Sequence, residues 1–343
     1  MDTTLTQRAG QERHVGLATL ARGEGYPELA KSLGMKVLVT GGGGYKGVKI
    51  AESLLARGCE VTILDTFYFG YSPVLHVASH PRLTILRKDV REDLTTVLAG
   101  HDVVIHLAGL SGFPACVANP GVALAVNVEA TAQLAKSLAR DQLLIFASTT
   151  AMYEVAPQGE VDETTKVSPG GLYTKTKKEG ENICLGEHAN TISLRLATVM
   201  GVAPRMRNNL LVNEFVMRAV TERSLVLYDA NAKRTFMHID DCVRGYMLAI
   251  DEREKMRGGI YNVGSRQLNF SKQQIADAIK AQVPCDIINS KLADNDSRNF
   301  TVSFAKIEAL GFECRIGLEE TIRELVKLYR FYRPRASDEQ LIF

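Results

Sequence analysis

The stretch Val39–Gly47, with the sequence VTGGGGYKG, decides the fold of this chain of 343 residues. It follows the β-branched run KVLVT and opens the amphipathic run VKIAESLLARG, so a strand is expected before it and a helix after it. Gly41, Gly44 and Gly47 form a GxxGxxG pattern, which permits a tight turn and the close approach of a pyrophosphate to the backbone. The N-terminus of the helix offers free N–H groups to the same anion, so the pattern predicts a dinucleotide site.

The second predicted strand, EVTILD, ends at Asp65. A carboxylate there can accept hydrogen bonds from both ribose hydroxyls of an adenosine and repels a 2′-phosphate. No Arg or Lys follows closely in DTFYFGYS, which favours NAD over NADP. The residues at the ends of the next strands suit contacts with the cofactor, but each of them is explained equally well as an ordinary strand end. The predicted cofactor contacts are Gly41, Gly44, Tyr45, Lys46, Gly47, Asp65, Asp89, Val90, Leu107, Ala108 and Gly109.

Beyond this unit, short β-branched runs alternate with longer amphipathic runs. LTILRKD, DVVIHLAG, LLIFAS and TISLRLA each read as a strand, and helical segments separate them. This alternation predicts an α/β protein with a Rossmann-type doubly wound parallel sheet and a smaller mixed α/β substrate-binding lobe. The predicted organisation is an N-terminal extension (1–34), an NAD-binding Rossmann domain (35–200, plus about 234–262), a substrate lobe (201–233 and 263–335) and a tail (336–343).

The composition restricts the classes of partner and compartment. The formal net charge is +2, which provides no strong field for nucleic acid or an anionic membrane. The six cysteines show no CxxC or paired spacing, which argues against a metal site or a disulfide framework and favours a reduced, cytoplasmic protein. No apolar run approaches the roughly 18 residues needed to cross a membrane.

A second motif, GGLYTKTKKEGE, places Tyr173 and Lys177 four residues apart, on one face of a predicted helix. An ammonium beside a phenol favours the phenolate, so Tyr173 could take or give the proton of a sugar hydroxyl while a hydride moves to or from nicotinamide. An isolated YxxxK is common by chance on exposed helices. Here it follows the hydroxyl-rich strand end ASTTAMYE, Ala147–Glu154, in a chain with a nucleotide-binding fold.

Together these elements resemble the extended short-chain dehydrogenase/reductase family, in its NAD-dependent nucleotide-sugar epimerase/dehydratase branch. The resemblance implies that Thr149 hydrogen-bonds the reacting hydroxyl, Tyr173 is the acid/base, and Lys177 holds the nicotinamide ribose. Asn127 stands where the family has a helix-stabilising Asn near the active site, and we group it with the cofactor contacts. The resemblance rests on VTGGGGYKG, Asp65, DVVIHLAG, NVEAT, STTAMY, the Tyr173–Lys177 pair, RTFMHIDD and GIYNVGS, within Lys36–Tyr332.

The same resemblance implies a nucleotide-diphosphate sugar as substrate. Arg234 matches an Arg that grips the diphosphate, and Arg298 matches a second phosphate- or ribose-binding Arg; arginine forks suit paired phosphate oxygens. Judged without this resemblance, each of these arginines would be interpreted as a charged side chain on the surface. A homodimer through paired helices, one of them bearing Tyr173, is also implied. The remaining predicted substrate contacts are Thr149, Thr150, Thr198, Arg205, Arg207 and Asn213.

The residues after Thr149 bear on the reaction. Related 4,6-dehydratases carry Asp-Glu directly after the catalytic Thr, and decarboxylases usually carry Glu two residues beyond it, whereas this chain has Thr150 and Ala151. Alanine cannot transfer a proton, which favours transient oxidation at C4 by a 4-epimerase. A C4 dehydrogenase/reductase of a hexose or heptose nucleotide is the alternative. A non-catalytic NAD-binding sensor or scaffold should have lost Tyr173, Lys177 or the glycine turn.

Two departures from the family pattern leave the sugar open. Lys46 replaces the apolar residue usual in GGxGxIG, which adds either a cation beside the pyrophosphate loop or a snorkelling surface side chain. Thr198 stands where many 4-epimerases have a substrate-binding Asn. The familiar hexose epimerisation is therefore one candidate among several.

Overall fold

The computed structural model describes residues 34–154, 159–290 and 300–334. Its strands are Lys36–Thr40 (β1), Glu60–Asp65 (β2), Leu83–Arg87 (β3), Val103–His106 (β4), Leu143–Thr149 (β5), Glu160–Val161 (β6), Thr191–Leu196 (β7), Thr198–Met200 (β8), Ser224–Leu227 (β9), Lys233–His238 (β10), Ile260–Val263 (β11), Asn269–Ser271 (β12), Asp286–Asn289 (β13) and Thr301–Val302 (β14). Its α-helices are Tyr45–Ala56 (α1), Thr95–Leu98 (α2), Phe113–Ala118 (α3), Pro120–Leu124 (α4), Ala130–Ser137 (α5), Leu172–Glu187 (α6), Leu211–Thr221 (α7), Ile239–Asp251 (α8), Arg253–Met256 (α9), Lys272–Lys280 (α10), Ala305–Glu308 (α11) and Leu318–Tyr329 (α12).

Seven strands form a central parallel sheet in the order β11-β7-β5-β4-β1-β2-β3. Strand β1 shows why it is covered on both faces. Val37 and Val39 pack into one apolar cluster with residues of α1 and α8, whereas Leu38 points into a cluster on the opposite face with residues of α5. The fold predicted from the alternating pattern, a Rossmann-type doubly wound sheet, is therefore confirmed.

The strand order creates a crevice between β1 and β4. The chain adds β2 and β3 on one side of β1 and then crosses back to place β4 on the other side. At this switch point the connections leave the carboxyl ends of the two strands in opposite directions, so ligands of open α/β sheets bind there.

The second lobe has its own core. It contains a three-stranded sheet, β12-β10-β8, and the pair β13-β9, packed with α7, α10 and α12. Strand β10 separates the two cores, because Phe236 points into the second lobe and Met237 into the first. The chain rejoins the central sheet at β11, within the segment predicted to return; the exact domain bounds remain a prediction. None of the helices in the described ranges is long and apolar enough to span a membrane.

Candidate active site

A cavity of about 500 Å³ opens at the carboxyl ends of β1, β4 and β5. Residues of both lobes form its walls, so it lies where the crevice of the sheet meets the loop after β8. Its lining includes these predicted site residues: Gly41, Gly44, Tyr45, Lys46, Gly47, Asp65, Asp89, Val90, Leu107, Ala108, Gly109, Tyr173, Lys177, Arg205 and Arg207.

The glycine-rich turn forms a cradle that only glycine can build. Gly41 has φ +68°, and a Cβ on it would lie 2.8 Å from the backbone nitrogen of Ala108. A Cβ on Gly47 would collide with the carbonyl oxygen of Gly41. Gly44 is the N-cap of α1 and contributes no side-chain cap, so the first N–H groups of the helix are available to a ligand. These residues fit the pyrophosphate of a dinucleotide.

The carboxylate of Asp65 lies at the end of β2, beside this cradle. Its Oδ2 accepts a hydrogen bond from the Gly43 backbone N–H at 3.0 Å, and its Oδ1 accepts one from the Phe67 N–H at 2.7 Å. Burial raises the pKa of Asp65. Each carboxylate oxygen can still accept a further hydrogen bond, so Asp65 fits its predicted role of accepting hydrogen bonds from the ribose hydroxyls. Farther along the wall, the hydrogen bonds of Arg91 lower the pKa of Asp89.

An aromatic contact across the mouth of the cavity could not be read from the sequence. The guanidinium of Arg205, in the loop after β8, lies 4.1 Å from the centroid of the Phe69 ring, in the loop after β2. A cation over an aromatic face is attractive, so this contact ties the second lobe to the cofactor side of the cavity. Phe69 is 39% exposed, and Tyr68 beside it also lines the cavity.

Helix α6 carries Tyr173 and Lys177 into the inner end of the cavity. Lys177 is 8% exposed, and its Nζ lies 4.2 Å from the centroid of the Phe146 ring. Burial lowers the pKa of Lys177 to about 7, and the positive charge of Lys46 acts in the same direction. Within the described ranges, no carboxylate lies at ion-pair distance from Lys177. Tyr173 and Lys177 thus both line the cavity, and the acid/base pair predicted from the YxxxK pattern stays a prediction.

The three hydroxyls at the end of β5 have different surroundings. Ser148 donates to Glu181 at 2.9 Å, and Thr150 donates to the carbonyl of Leu196 at 3.2 Å. Thr149 instead accepts from the Ala151 N–H at 3.1 Å, which leaves its own proton for another partner. Ser148 reaches the cavity wall, whereas Thr149 and Thr150 are not part of it.

A buried ion pair supports this strand end from behind. Arg195 donates from Nε and from a terminal nitrogen to the two oxygens of Glu181, at 3.0 and 2.7 Å, and to the hydroxyl of Tyr153 at 2.6 Å. Burial alone would raise the pKa of Glu181, but the hydrogen bonds and charge of Arg195 outweigh it and lower that pKa. The pair joins α6, β5 and β7, and nothing in the local sequence pattern reveals it.

The carboxylate of Glu154 holds the beginning of α6. Its Oε1 accepts hydrogen bonds from the backbone N–H of Gly170, from that of Gly171 at 2.8 Å and from the Thr174 hydroxyl at 2.6 Å. Gly171 is the N-cap residue of α6 and contributes no cap of its own. Glu154 therefore satisfies donors at the N-terminus of the helix that bears Tyr173, and its negative charge suits the helix dipole.

Two buried asparagines hold loops rather than lining the cavity. Asn127, in a π-helical turn at Ala125–Glu129, exchanges two hydrogen bonds with the backbone of Leu110 and donates to Thr176 at 3.0 Å. Asn213 accepts from the Gly201 N–H at 3.0 Å and donates to the carbonyl of Arg207 at 3.0 Å. These hydrogen bonds fix the walls of the cavity, and the predicted contacts of both asparagines with cofactor and substrate stay predictions.

The other predicted substrate residues lie away from the cavity wall. Thr198, in β8, pairs with Phe236 of β10, and Arg234 is half-buried in β10. Arg298 lies outside the described residues. In the part of the chain that the structure describes, no three His, Cys, Asp or Glu side chains are grouped so that they could hold a metal ion.

Sequence comparison identifies the family. Residues 37–264 match the family described as "NAD dependent epimerase/dehydratase family". The chain is 28% identical over 327 residues to the UDP-N-acetyl-alpha-D-glucosaminuronate decarboxylase of Bacillus cytotoxicus, covering 89% of this chain and 94% of that protein. It is also 28% identical over 314 residues to UDP-glucuronic acid decarboxylase 1 of Arabidopsis thaliana, covering 86% of this chain and 70% of that protein.

Solved structures show the same fold. The UDP-glucuronic acid 4-epimerase of Bacillus cereus, in complex with UDP-glucuronic acid and NAD, superposes with a TM-score of 0.78 at 24% identity, covering 86% of this chain and 99% of that chain. The NDP-hexosamine 5,6-dehydratase TunA superposes with a TM-score of 0.76 at 24% identity, covering 87% of this chain and 98% of that chain. Similar proteins thus include epimerases, decarboxylases and dehydratases.

The family match spans more than half of the chain, and the glycine cradle, Asp65 and the Tyr173–Lys177 helix line one cavity. The expectations of an enzyme and of NAD as its cofactor are confirmed. The chain belongs to the NAD-dependent epimerase/dehydratase family.

Proposed function

We propose that this protein is a nucleotide-sugar 4-epimerase that oxidises C4 of the sugar transiently and reduces it again on the opposite face. One observation carries the proposal. In the part of the cavity wall that the structure describes, the acidic side chains are Asp65, at the end of β2, and Asp89, just after β3. Ala151, two residues after Thr149, stands where elimination or decarboxylation in related enzymes uses a carboxyl group, so the available chemistry is a hydride and a single proton.

The roles of the chain's own residues follow from this restriction. NAD, when bound, supplies the hydride acceptor and later the hydride donor. Tyr173 takes the proton of the C4 hydroxyl and later returns it. Lys177 stabilises the phenolate by its charge, and Thr149, whose hydroxyl proton is uncommitted in its contact with Ala151, donates a hydrogen bond to the C4 oxygen.

Decarboxylation of a nucleotide uronate is a second candidate, because the relatives from Bacillus cytotoxicus and Arabidopsis thaliana are decarboxylases. Ala151 weighs against it. The C4 dehydrogenase/reductase alternative uses the same residues and differs only in whether NADH leaves the cycle. Product analysis therefore decides between these reactions.

The decisive experiment incubates the NAD-loaded chain separately with UDP-glucose, UDP-galactose, UDP-glucuronate and UDP-galacturonate. Epimerisation gives a product of unchanged mass and a new retention time, with no net change in NADH absorbance. Loss of CO₂ would establish the decarboxylase, and accumulation or consumption of NADH would establish the oxidoreductase. The Tyr173→Phe variant is the control that assigns any activity to this site.

Two further expectations accompany this function. We infer a homodimer formed through paired helices that include α6, and a cytoplasmic location. The oligomeric state is checked by light scattering of the purified chain across a tenfold range of concentration, and the location by fractionation of the native cell.

A further inference from the structure

Ser148 lines the cavity, although the reaction proposed above gives it no role. It is 3% exposed and lies near the end of β5, next to Thr149 and two residues after Phe146. Alternate residues of a strand face the same side of a sheet, so Ser148 and Phe146 both face α6. Ser148 therefore belongs to the same part of the wall as Lys177, which lies over the Phe146 ring.

The carboxylate of Glu181 fixes the direction of the Ser148 hydroxyl. Among the described residues, the other donors to this fully buried carboxylate are Ser193 at 3.0 Å, Lys178 at 3.0 Å and two nitrogens of Arg195 at 3.0 and 2.7 Å. Burial raises the pKa of Glu181, but the hydrogen bonds and charges of the two cations lower it by more, so the group stays ionised and has no proton to donate. Ser148 must therefore be the donor in their contact of 2.9 Å.

A serine hydroxyl has one proton and two acceptor lone pairs. The proton of Ser148 is committed to Glu181, and within the described ranges no N–H or O–H group donates to its oxygen. Thr149 has the opposite arrangement, because it accepts from the Ala151 N–H and keeps its own proton. The two neighbouring hydroxyls therefore offer a ligand different chemistry: Ser148 can accept a hydrogen bond, whereas Thr149 can donate one.

We propose that Ser148 is a further ligand-contacting residue, which accepts a hydrogen bond from a neutral O–H or N–H donor of the molecules bound beside it. Two sources carry such a donor: the carboxamide of nicotinamide and a hydroxyl of the sugar. The inference rests on the proposed function only for the second source, because NAD is the cofactor of the family.

The buried ion pair behind β5 thereby gains a role in ligand selection. Because Arg195 and Lys178 keep Glu181 charged, Ser148 cannot turn its proton toward a ligand without removing a donor from a buried carboxylate. A ligand carbonyl placed against the Ser148 oxygen would meet lone pairs, whereas an O–H or N–H group would form a hydrogen bond. Ser148 is therefore expected to favour a donor at this position.

Ser193, on β7, provides a matched control. Its hydroxyl donates to the same oxygen of Glu181 at 3.0 Å, but Ser193 is fully buried and is not part of the cavity wall. Ser148→Ala and Ser193→Ala therefore remove equivalent hydrogen bonds from one carboxylate, and only Ser148→Ala also removes an acceptor from the wall. Ser148→Cys keeps a side chain of similar volume with a weak acceptor, and it serves as a second variant.

The first measurement titrates the cofactor-free chain with NAD and with 3-acetylpyridine adenine dinucleotide, in which a methyl ketone replaces the carboxamide. The analogue has no N–H group to donate at this position. With nicotinamide as the source, Ser148→Ala should weaken NAD binding by about three- to tenfold, the range of one neutral hydrogen bond. Binding of the analogue to Ser148→Ala, and of both dinucleotides to Ser193→Ala, should change by less than about twofold.

The second measurement titrates the NAD-loaded chain with UDP and with the four nucleotide sugars named above. All proteins in this series carry Tyr173→Phe so that turnover does not disturb the titration. UDP lacks the sugar, so the ratio of the Kd values reports the sugar alone. With a sugar hydroxyl as the source, Ser148→Ala should weaken the nucleotide sugar by about three- to tenfold and leave the Kd of UDP unchanged.

Either selective loss, reproduced by Ser148→Cys, supports the inference and identifies the source of the donor. The inference is overturned if Ser148→Ala behaves like Ser193→Ala in both measurements, or if it weakens each ligand and its donor-free counterpart equally. Failure of the proposed function is distinguishable, because a chain that binds none of the sugars more tightly than UDP refutes that function. The cofactor measurement then decides the role of Ser148 by itself.

Discussion

Arg195 and Lys177 are both basic side chains buried near β5, yet their surroundings are opposite. Arg195 is 1% exposed and contacts both oxygens of Glu181 and the hydroxyl of Tyr153. Lys177, one helical turn before Glu181 on α6, faces the cavity and has Phe146 and the cation Lys46 as neighbours. A neutralised buried charge holds elements together, whereas an unneutralised one beside a cavity marks where ligands and chemistry belong.

The largest expected effect comes from removing the unneutralised charge. We expect Lys177→Met to lower kcat/KM for the preferred nucleotide sugar by about 10²- to 10⁴-fold, because the phenolate of Tyr173 loses its stabilising ammonium. The matched control is Lys175→Met, on the exposed face of the same helix. Retention of near-normal turnover in Lys177→Met would contradict the role given to this lysine.

Breaking the neutralised pair should instead affect folding. Arg195→Met leaves the Glu181 carboxylate buried without its main partner, and we expect the free energy of unfolding to fall by about 3–5 kcal/mol. The double variant Arg195→Met, Glu181→Met removes both charges and should recover much of that loss. Urea denaturation of the single and double variants is the measurement. If the free energy of unfolding of the single variant equalled that of the double variant, the ion pair would not stabilise this part of the fold.

The two classes of charge also differ in how stability depends on pH. The ordinary lysine pKa of 10.5 lies above the folded pKa of about 7 for Lys177, so between these values the unfolded chain binds more protons than the folded chain. The free energy of unfolding of the NAD-free protein should therefore rise with pH, by up to about 1.4 kcal/mol per pH unit from this group.

The comparison with Lys177→Met isolates the effect of this one lysine. The stability advantage of the variant over the parent should be greatest below pH 7 and should shrink between pH 7 and 9. The thiol of Cys59, whose pKa is raised by burial and does not depend on Lys177, affects both proteins alike and cancels. A constant difference across this range would show that Lys177 titrates normally.

Features encoded in local patterns could be predicted from the sequence. The glycine cradle, Asp65 and the spacing of Tyr173 and Lys177 depend on neighbouring residues and on the period of a strand or helix, and all line the cavity as expected. The parallel sheet follows from the alternation of strands and helices, which repeats along most of the chain.

Features that depend on distant segments could not be predicted. The pairing of Glu181 with Arg195 and the stacking of Arg205 on Phe69 arise only when remote parts of the chain meet. Sequence could identify the hydroxyl-rich end of β5 but could not show that Ser148 is committed to Glu181. The sequence also could not show that the side chain of Asn127 forms hydrogen bonds with the backbone of Leu110.

Glu154 provides an intermediate case, an anion neutralised by backbone N–H groups instead of by a side-chain cation. Its carboxylate accepts hydrogen bonds at the start of α6, two residues before Tyr173 at Gly171 and one residue after it at Thr174. We expect Glu154→Ala to destabilise the protein by about 1–2 kcal/mol, the usual range for loss of a helix N-terminal cap.

The same change should lower kcat by about tenfold while KM changes by less than about threefold, because the helix end that aims Tyr173 loosens while the binding groups remain. Glu154→Gln keeps an oxygen acceptor and should restore most of kcat. If the helix end mattered only for stability, kcat and the free energy of unfolding would change together in both variants. Steady-state kinetics of both variants, well below their melting temperatures, is the measurement. If Glu154→Gln were as impaired as Glu154→Ala, the negative charge rather than the hydrogen bonds would hold the helix; if neither lost activity, Glu154 would not position Tyr173.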